Sequence, residues 1–209
     1  MRMLRSALLA AGLAFIATPV SAAPITIDFE SLDEFTDVGG LLDGLTFTNA
    51  VVLTGGSSVN EFEFPPNSGV NVVYDGGPGM RIDFDAPVSS VSAYLTYLVA
   101  VTFSAYDSSD NLISSVGSAF AANFTSSGLG SPNELFQATS TSGISYITMT
   151  GGAFGGSFVL DDLTFEFAEG GGGGDPDPVP EPATVSLVLL GAAVAAGREK
   201  LRARRRALA

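Results

Sequence analysis

The 209-residue chain contains no cysteine, no histidine and no tryptophan. The absence of cysteine excludes disulfide bonds, thiolate zinc sites and cysteine nucleophiles. The absence of histidine removes the usual base that activates a catalytic serine, and it removes imidazole as a metal ligand. These absences exclude many hydrolase and metalloenzyme chemistries.

Basic residues are scarce as well, and all but one of them lie near the two ends of the chain. Residues 23–169 hold eighteen acids and a single base, Arg81, so this segment carries a formal charge of about −17 (1 − 18). Such a segment repels nucleic acid and anionic lipid headgroups, because both are bound through Lys and Arg. The carboxylates either hold divalent cations or serve only to keep an exported domain soluble; the composition leaves both readings open.

Residues 1–22 have the three parts of a secretory signal peptide. Two arginines form a positively charged start, an apolar stretch covers residues 7–20, and small residues follow. We predict that signal peptidase cleaves between Ala22 and Ala23, since a cut one residue later would place Pro24 beside the scissile bond. An uncleaved N-terminal anchor is the alternative, but the stretch is short and ends in small residues.

The chain beyond the acidic segment has three further parts. Residues 169–178 are rich in glycine and proline, which neither bury side chains nor join a sheet, and we interpret them as a linker. Residues 183–197 are apolar. They predict a short transmembrane helix, roughly 22 Å long against a hydrocarbon core of ~30 Å. Residues 198–209 contain six basic residues, which the positive-inside rule keeps in the cytoplasm.

Val179, Pro180, Glu181 and Pro182 stand immediately before the apolar span. This motif, followed by the span and the basic end, resembles the PEP-CTERM sorting signal, here over residues 179–209. The resemblance implies recognition by an exosortase-type membrane transpeptidase, cleavage near the motif and only transient membrane anchoring. It also implies delivery to the cell surface or extracellular matrix of a Gram-negative bacterium that makes exopolysaccharide. The alternative is a plain C-terminal anchor with a proline-rich spacer.

The hydrophobic pattern of residues 24–167 has a period of two, which indicates β-strands rather than helices. The longest run places the odd-numbered residues of 91–103 on one face, and residues 107–111 predict a hairpin turn. We therefore predict that residues 23–168 form an all-β domain, an antiparallel β-sandwich of the jelly-roll type with some eight short strands. The core should bury Ile27, Phe29, Ile82, Phe84, Leu95, Val101, Phe103, Leu160 and Phe165.

Three short stretches, at residues 27–30, 106–111 and 159–165, resemble galactose-binding-type jelly rolls. That group includes many carbohydrate-binding modules. The resemblance spans the domain but consists of short pieces, so it bears on the fold more than on the function.

A change of parity in the last strand predicts a β-bulge. Leu160 belongs to an inward face of even-numbered residues, whereas Leu163 and Phe165 belong to one of odd-numbered residues. An extra residue must lie between them, and we place the bulge at Asp161–Asp162.

The bulge acids and two acids near the start of the domain lead to a metal-site hypothesis, the one cofactor hypothesis of the sequence. In jelly rolls of the type that the domain resembles, the terminal strands often pair and a calcium ion is commonly held there. We therefore predict a structural Ca²⁺ site with Glu30 and Asp161 as the first ligands and Asp162 and Asp28 as the next. The alternative is that one bulge acid points to solvent while the other caps backbone N–H groups.

Two smaller features have plain explanations. The tripeptide that begins at Asn123 matches a glycosylation acceptor, but in a bacterial protein we interpret the match as chance. Arg81 should form a surface ion pair with Asp83 or Asp85, which share its strand face; anion binding by Arg81 is the alternative.

We prefer a non-catalytic surface or matrix protein associated with exopolysaccharide. Such a protein needs an export signal, a sorting signal and a rigid β-domain, and the sequence contains features of all three. A carbohydrate-binding module is the alternative, although tryptophan is missing. A glycoside hydrolase is the third class, but among eighteen acids some pair always has the required spacing, so composition does not support it. The candidate stacking residues, for which core or ordinary surface placement is favoured, are Tyr74, Tyr94, Tyr97, Tyr106 and Tyr146.

Overall fold

The computed structural model describes residues 23–168, which form an antiparallel all-β domain. This confirms the all-β, antiparallel part of the predicted fold class, while the predicted signal peptide, linker, motif and transmembrane helix lie outside the described residues. Within residues 23–168 no helix is long and apolar enough to cross a membrane. The strands are β1 (Ile25–Ile27), β2 (Leu45–Thr48), β3 (Ala50–Thr54), β4 (Asn71–Asp75), β5 (Met80–Tyr97), β6 (Thr102–Tyr106), β7 (Leu112–Gly117), β8 (Glu134–Thr150) and β9 (Phe158–Phe167), with a 3₁₀ turn at Thr125–Ser127.

The strands follow the order β3-β4-β9-β5-β8-β6-β7, with β1 added beside β9 and β2 beside β5. The two long strands change partners along their length. The first part of β5 pairs with β2 and with the end of β8, and its second part pairs with β9 and with the beginning of β8. Rings from the first part of β5 and from the strand that pairs with its second part meet in the core; for example, the ring centroids of Phe84 in β5 and Phe165 in β9 are 5.5 Å apart.

Pro87 and Gly143 lie at the corner where β5 and β8 change partners. The register of β5 shifts between Asp83 and Val88 and again before Ser90. Proline cannot donate to a sheet ladder, so it is tolerated where pairing is interrupted. Gly143 has a φ of +89°, and a Cβ built on it would lie 2.7 Å from the Cβ of Pro87. Glycine is therefore required at this corner for both conformation and space.

Eight of the nine residues predicted for the core are at least 90 % buried, and the ninth, Ile27, is half-buried against it. One sequence expectation is wrong: residues 91–103 do not form a single strand. β5 ends at Tyr97, and Val99 is 43 % exposed. The connection over residues 98–101 is needed because β5 ends beside β9 whereas β6 lies beside the far end of β8.

The bulge predicted at Asp161–Asp162 is confirmed. Ser92 of β5 pairs with Thr164 and Tyr94 pairs with Asp161, so β9 contains one more residue than β5 over this interval. Asp162 has a φ of +48°, and its left-handed conformation absorbs the extra residue.

The predicted turn at residues 107–111 joins β6 to β7. The carboxylate of Asp107 accepts the backbone N–H groups of Ser109 and Asn111 at 2.8 and 2.9 Å. A short polar side chain that satisfies the backbone in this way is the reason such clusters favour turns.

Candidate functional site

Three of the four residues predicted to bind calcium converge on the loop that joins β3 to β4 (residues 55–70). Asp161 Oδ2 accepts the backbone N–H groups of Asn67 and Ser68 at 2.7 and 2.9 Å. The Asp162 carboxylate accepts the side chains of the same two residues at 2.6 and 2.7 Å. The bulge thus turns both carboxylates towards a single loop.

Glu30 holds the end of the same loop. Its Oε1 atom accepts the backbone N–H groups of Val70 and Asn71 at 2.9 and 2.7 Å. The side chain of Asn71 in turn donates to the carbonyl oxygens of Phe29 and Leu32. Asp28, the fourth predicted ligand, is exposed, and its carboxylate accepts the backbone N–H of Glu30 at 3.2 Å. We refer to Glu30, Asp161 and Asp162 as the carboxylate clamp.

Asp161 and Glu30 accept backbone N–H groups, which agrees with one part of the alternative to a calcium site. Asp162 differs from the other part of that alternative, because its carboxylate accepts the side chains of Asn67 and Ser68 instead of pointing to solvent. In residues 23–168 no three acidic side chains are grouped so as to hold a metal ion. The calcium site stays a prediction. Asp161 is 2 % exposed, and burial, together with the charge of Asp162, raises its pKa to about 6 against the opposing effect of its amide partners.

Arg81 contacts an acid and an aromatic ring on the surface of β5 and β8. Its Nε and Nη2 atoms donate to the two carboxylate oxygens of Asp83 at 2.8 and 2.5 Å. Its guanidinium carbon lies 3.5 Å from the centroid of the Tyr146 ring, and Tyr106 stacks on Tyr146 at 4.7 Å. This confirms the predicted ion pair and identifies Asp83, rather than Asp85, as the partner.

The five tyrosines differ in whether a ring face is free. Tyr97 is completely buried, and Tyr146 is covered by Arg81 and by Tyr106, which lie on strands at opposite sides of β8. A sugar ring stacks on an exposed aromatic face, so Tyr97 and Tyr146 do not form a stacking platform. Tyr74 and Tyr94 are half-exposed and belong to none of the aromatic pairs found in the described residues.

An apolar groove lies on the outer face of β3, β4 and β9, and its volume is about 150 Å³. Leu53, Tyr74 and Val159 come from the strands and line it, because alternate residues of these strands point away from the main core. Val59 and Phe64 of the β3–β4 loop form a second wall. The carboxylate clamp therefore holds a loop that is itself part of the groove.

The remaining lining of the groove comes from Leu98 and from residues 156–158. Leu98 is 44 % exposed and donates its backbone N–H to the carbonyl oxygen of Ser157 at 2.8 Å. Phe154, in the β8–β9 loop that leads to Ser157, is 96 % exposed.

Asp75 fixes the base of the β8–β9 loop. It is completely buried, and its carboxylate accepts the backbone N–H and the hydroxyl of Ser157 and the N–H of Phe158, at 2.7 to 3.0 Å. Burial raises its pKa above the ordinary value. The sequence reasoning missed Asp75; its only local signal is an acid at the end of an apolar strand.

Asn123 is also buried, and its side chain substitutes for a neighbouring strand. Its Oδ1 atom accepts the N–H of Tyr97 at 2.6 Å, and its Nδ2 donates to the carbonyl oxygen of Leu95 at 3.0 Å. Because the amide is completely buried, it is inaccessible to glycosylation in this fold. This agrees with the interpretation of the tripeptide as a chance match.

Residues 178–206 match the family model of the PEP-CTERM protein-sorting motif. The match covers the predicted motif, apolar span and most of the basic end, so the C-terminal part of the chain is a PEP-CTERM sorting motif. No curated protein is similar enough in sequence to count as a relative.

The chain is similar in structure to several solved β-domains at low sequence identity. One is the K1 cleaved adhesin domain of Lys-gingipain from Porphyromonas gingivalis, with 12% identity, a TM-score of 0.44, and coverage of 68% of this chain and 97% of that one. Another is a family 35 carbohydrate-binding module from Clostridium thermocellum, with 18% identity, a TM-score of 0.38, and coverage of 69% and 98%. A third is the CBM22-1 xylan-binding domain from Paenibacillus barcinonensis, with 12% identity, a TM-score of 0.40, and coverage of 72% and 99%.

Proposed function

We propose that the protein is a non-catalytic surface protein that an exosortase-type enzyme processes at its PEP-CTERM motif. In this proposal it is exported from a Gram-negative cell, anchored transiently in the inner membrane, and delivered to the cell surface or extracellular matrix. The single observation that carries the proposal is the sorting-motif match at residues 178–206. The β-domain then acts outside the cell, in association with exopolysaccharide.

The charge distribution supports this topology. The eighteen acids and one base of residues 23–169 belong to the exported part, and six basic residues follow residue 197. The basic end stays in the cytoplasm until cleavage. An acidic domain also gains no attraction to anionic lipid, which favours release over adsorption to the membrane.

A two-sheet jelly roll is the finer fold that we propose for the domain. The change of partners along β5 and β8 supports it, because strands that continue from one sheet to another make the corners of such sandwiches. A non-catalytic role is supported by the use of the buried acids: Asp75 and Asp161 each accept three hydrogen bonds from the protein itself.

Fractionation and intact-mass measurement test the processing step. The mature protein should be recovered from the cell surface without Arg202 and the arginines that follow it. A Pro180→Ala/Glu181→Ala variant should keep the tail and remain with the inner membrane, whereas the linker variant Asp177→Ala should be processed normally. Surface-exposed protein that retains the basic tail would exclude a sorting function for this motif.

A further inference from the structure

We propose that β7 (Leu112–Gly117) is an interface at which two copies of this chain pair, one β7 antiparallel to the other, about a two-fold axis at Val116. Such pairing continues the sheet of one copy into the sheet of the next. The inference goes beyond the proposed function, because it assigns a partner to the exported domain, whereas sorting at residues 178–206 is tested separately.

The two ends of the strand order differ in what covers them. At one end, residues 35–38 lie along β3: Val52 accepts the N–H of Phe35 at 2.8 Å and donates its own N–H to the carbonyl oxygen of Thr36 at 2.9 Å. At the other end, β7 pairs with β6 alone among residues 23–168. An uncovered edge strand presents a row of backbone donors and acceptors, and another extended strand is the partner that satisfies such a row.

The sequence of β7 contains none of the residues that usually protect an exposed edge. Charged side chains and proline are the common protection, and Leu112–Gly117 has neither. A bulge lies near the start of the strand, because the pairing passes from Leu112 to Ser114 while β6 advances by a single residue. Ile113 is the extra residue, so the regular part of the edge begins at Ser114.

The hydrogen bonding of β7 shows which backbone groups point outwards. Ser118, directly after the strand, donates its N–H to the carbonyl oxygen of Val101 on the β6 side at 2.8 Å. Successive residues of a strand direct their backbone groups to opposite sides, so Ser115 and Gly117 direct theirs away from β6. When two antiparallel copies are centred on Val116, Ser115 of one lies opposite Gly117 of the other. Each such pair exchanges two hydrogen bonds.

Val116 is the apolar centre of the proposed interface. It is 39 % exposed, although it pairs with Phe103 of the core and therefore lies on the core-facing side of the sheet. In the dimer it stands opposite its own counterpart, at a position without hydrogen bonds, where the side chains of two strands lie closest. Association thus buries apolar surface that a single copy leaves in water.

The charges around β7 favour the antiparallel orientation. Asp107 and Asp110 lie in the turn before the strand, whereas residues 112–133 carry no charge. Antiparallel pairing sets the acidic turn of one copy beside the uncharged chain that follows β7 in the other. Parallel pairing would set two acidic turns side by side. Because each domain carries a large negative charge, two copies approach with least repulsion where acids are absent.

A second copy fits this edge better than the linker of the same chain does. Residues 169–178 are rich in glycine and proline; glycine adds no side-chain contact, and proline has no N–H to donate. A second β7 matches, because the two-fold axis uses the same outward groups of both copies. A single pair of strands is a small contact beside the roughly 800 Å² per partner of a standard interface. The association is therefore weak in dilute solution and grows where copies are crowded on a surface.

Cysteine cross-linking in cells that export the full chain tests the register. The chain has no cysteine, so Val116→Cys introduces its only thiol. Opposed residues at a position without hydrogen bonds have Cα atoms about 4.5 Å apart, within the roughly 4.4–6.8 Å that a disulfide spans. Ser115→Cys is the control, because Ser115 is exposed on the same strand but lies diagonal to its counterpart, at roughly 7–8 Å. After oxidation, Val116→Cys should give a disulfide-linked dimer on non-reducing gels, and Ser115→Cys severalfold less.

Sedimentation equilibrium of protein released from the cell surface measures the association, over about 1 μM to 1 mM. Val116→Glu and Val116→Lys each set like charges opposite one another, so each should raise the Kd of the dimer tenfold or more. An equimolar mixture of the two variants should restore dimers, since glutamate then faces lysine. Thr141→Glu and Thr141→Lys change an exposed residue of β8 and should behave like the parent protein. Thermal melts show whether each variant is folded.

Three results would overturn the interface. One is a parent protein that stays monomeric up to about 1 mM and forms no cross-link through Val116→Cys. Another is a dimer whose Kd neither Val116 variant changes, since the copies then meet at a different surface. The third is equal cross-linking through Val116→Cys and Ser115→Cys, which indicates collision without a register. The mass of the mature protein tests the processing proposal independently of all three.

Discussion

Asp161 Oδ2 accepts the backbone N–H of Ser68 at 2.9 Å, which joins the bulge of the last strand to a loop 93 residues earlier in the chain. The bulge aims this carboxylate out of the β-ladder, and the loop presents adjacent amides to it. Asp161 is buried, so its carboxylate has lost its hydrogen bonds to water. Backbone N–H groups of the loop replace those hydrogen bonds and offset the cost of burial. The same contact places Val59 and Phe64 over the outer face of β3, β4 and β9.

The buried acids make the stability of the fold depend on pH. The pKa of Asp161 is about 6 in the folded state, above its ordinary value, so between about pH 4 and 6 the folded protein keeps a proton that the unfolded chain has lost. The free energy of unfolding should therefore fall as the pH rises through this window, by on the order of 2 kcal/mol. Asp75, whose pKa is also raised, acts in the same direction. Urea unfolding at pH 4.5 and 7.5 measures the difference.

Asp161→Asn should flatten this pH dependence, since an amide does not titrate. Asp107→Asn is the matched control: Asp107 lies on the exposed β6–β7 turn, and hydrogen bonds from Asn111 lower its pKa. A parent protein that becomes more stable from pH 4.5 to 7.5 would contradict the assigned role of Asp161.

Asn123→Ala should destabilise the domain by about 2–3 kcal/mol, because it leaves the N–H of Tyr97 and the carbonyl of Leu95 buried without partners. Chemical denaturation measures the loss. Asn60→Ala is the control, since Asn60 is exposed and its side chain accepts one hydrogen bond, at 3.1 Å; its cost should stay below about 1 kcal/mol. Equal effects of the two variants would show that burial of the amide is unimportant.

Gly143→Ala should destabilise the corner between β5 and β8. Alanine at a φ of +89° is strained, and its Cβ would lie 2.7 Å from the Cβ of Pro87, so we expect a loss of about 2 kcal/mol or more. Gly117→Ala provides the control, because a Cβ there meets no atom within 4 Å. Thermal melts of both variants compare the two positions, and an unchanged Tm for Gly143→Ala would argue against a tight corner.

Calcium binding remains a prediction that titration can decide. To bind, Ca²⁺ must compete for Asp161, Asp162 and Glu30 with the amides that these residues already satisfy. If the site forms, a hundredfold excess over its Kd should raise the free energy of unfolding by about 2.7 kcal/mol, and Asp162→Asn should remove this response. Melting that is the same in calcium and in chelator, without binding heat, would leave the three acids with their role in the clamp alone.

The sequence by itself determined the features that depend on neighbouring residues. Alternation of period two indicated the strands, a change of parity placed the bulge at Asp161–Asp162, and a polar cluster marked the β6–β7 turn. The sorting motif was equally readable, because its parts follow one another directly along the chain.

Only the tertiary structure decided which distant groups meet. Glu30, Asp161 and Asp162 lie 40 to 95 residues from the loop donors that they hold, and no local periodicity encodes such a pairing. The end of β5 at Tyr97 could not be predicted for the same reason. The hydrophobic alternation continues through the connection from β5 to β6, although these two strands pair with different neighbours. The groove arises because the carboxylate clamp folds one loop over a strand face, and an apolar pattern does not specify which segment covers that face.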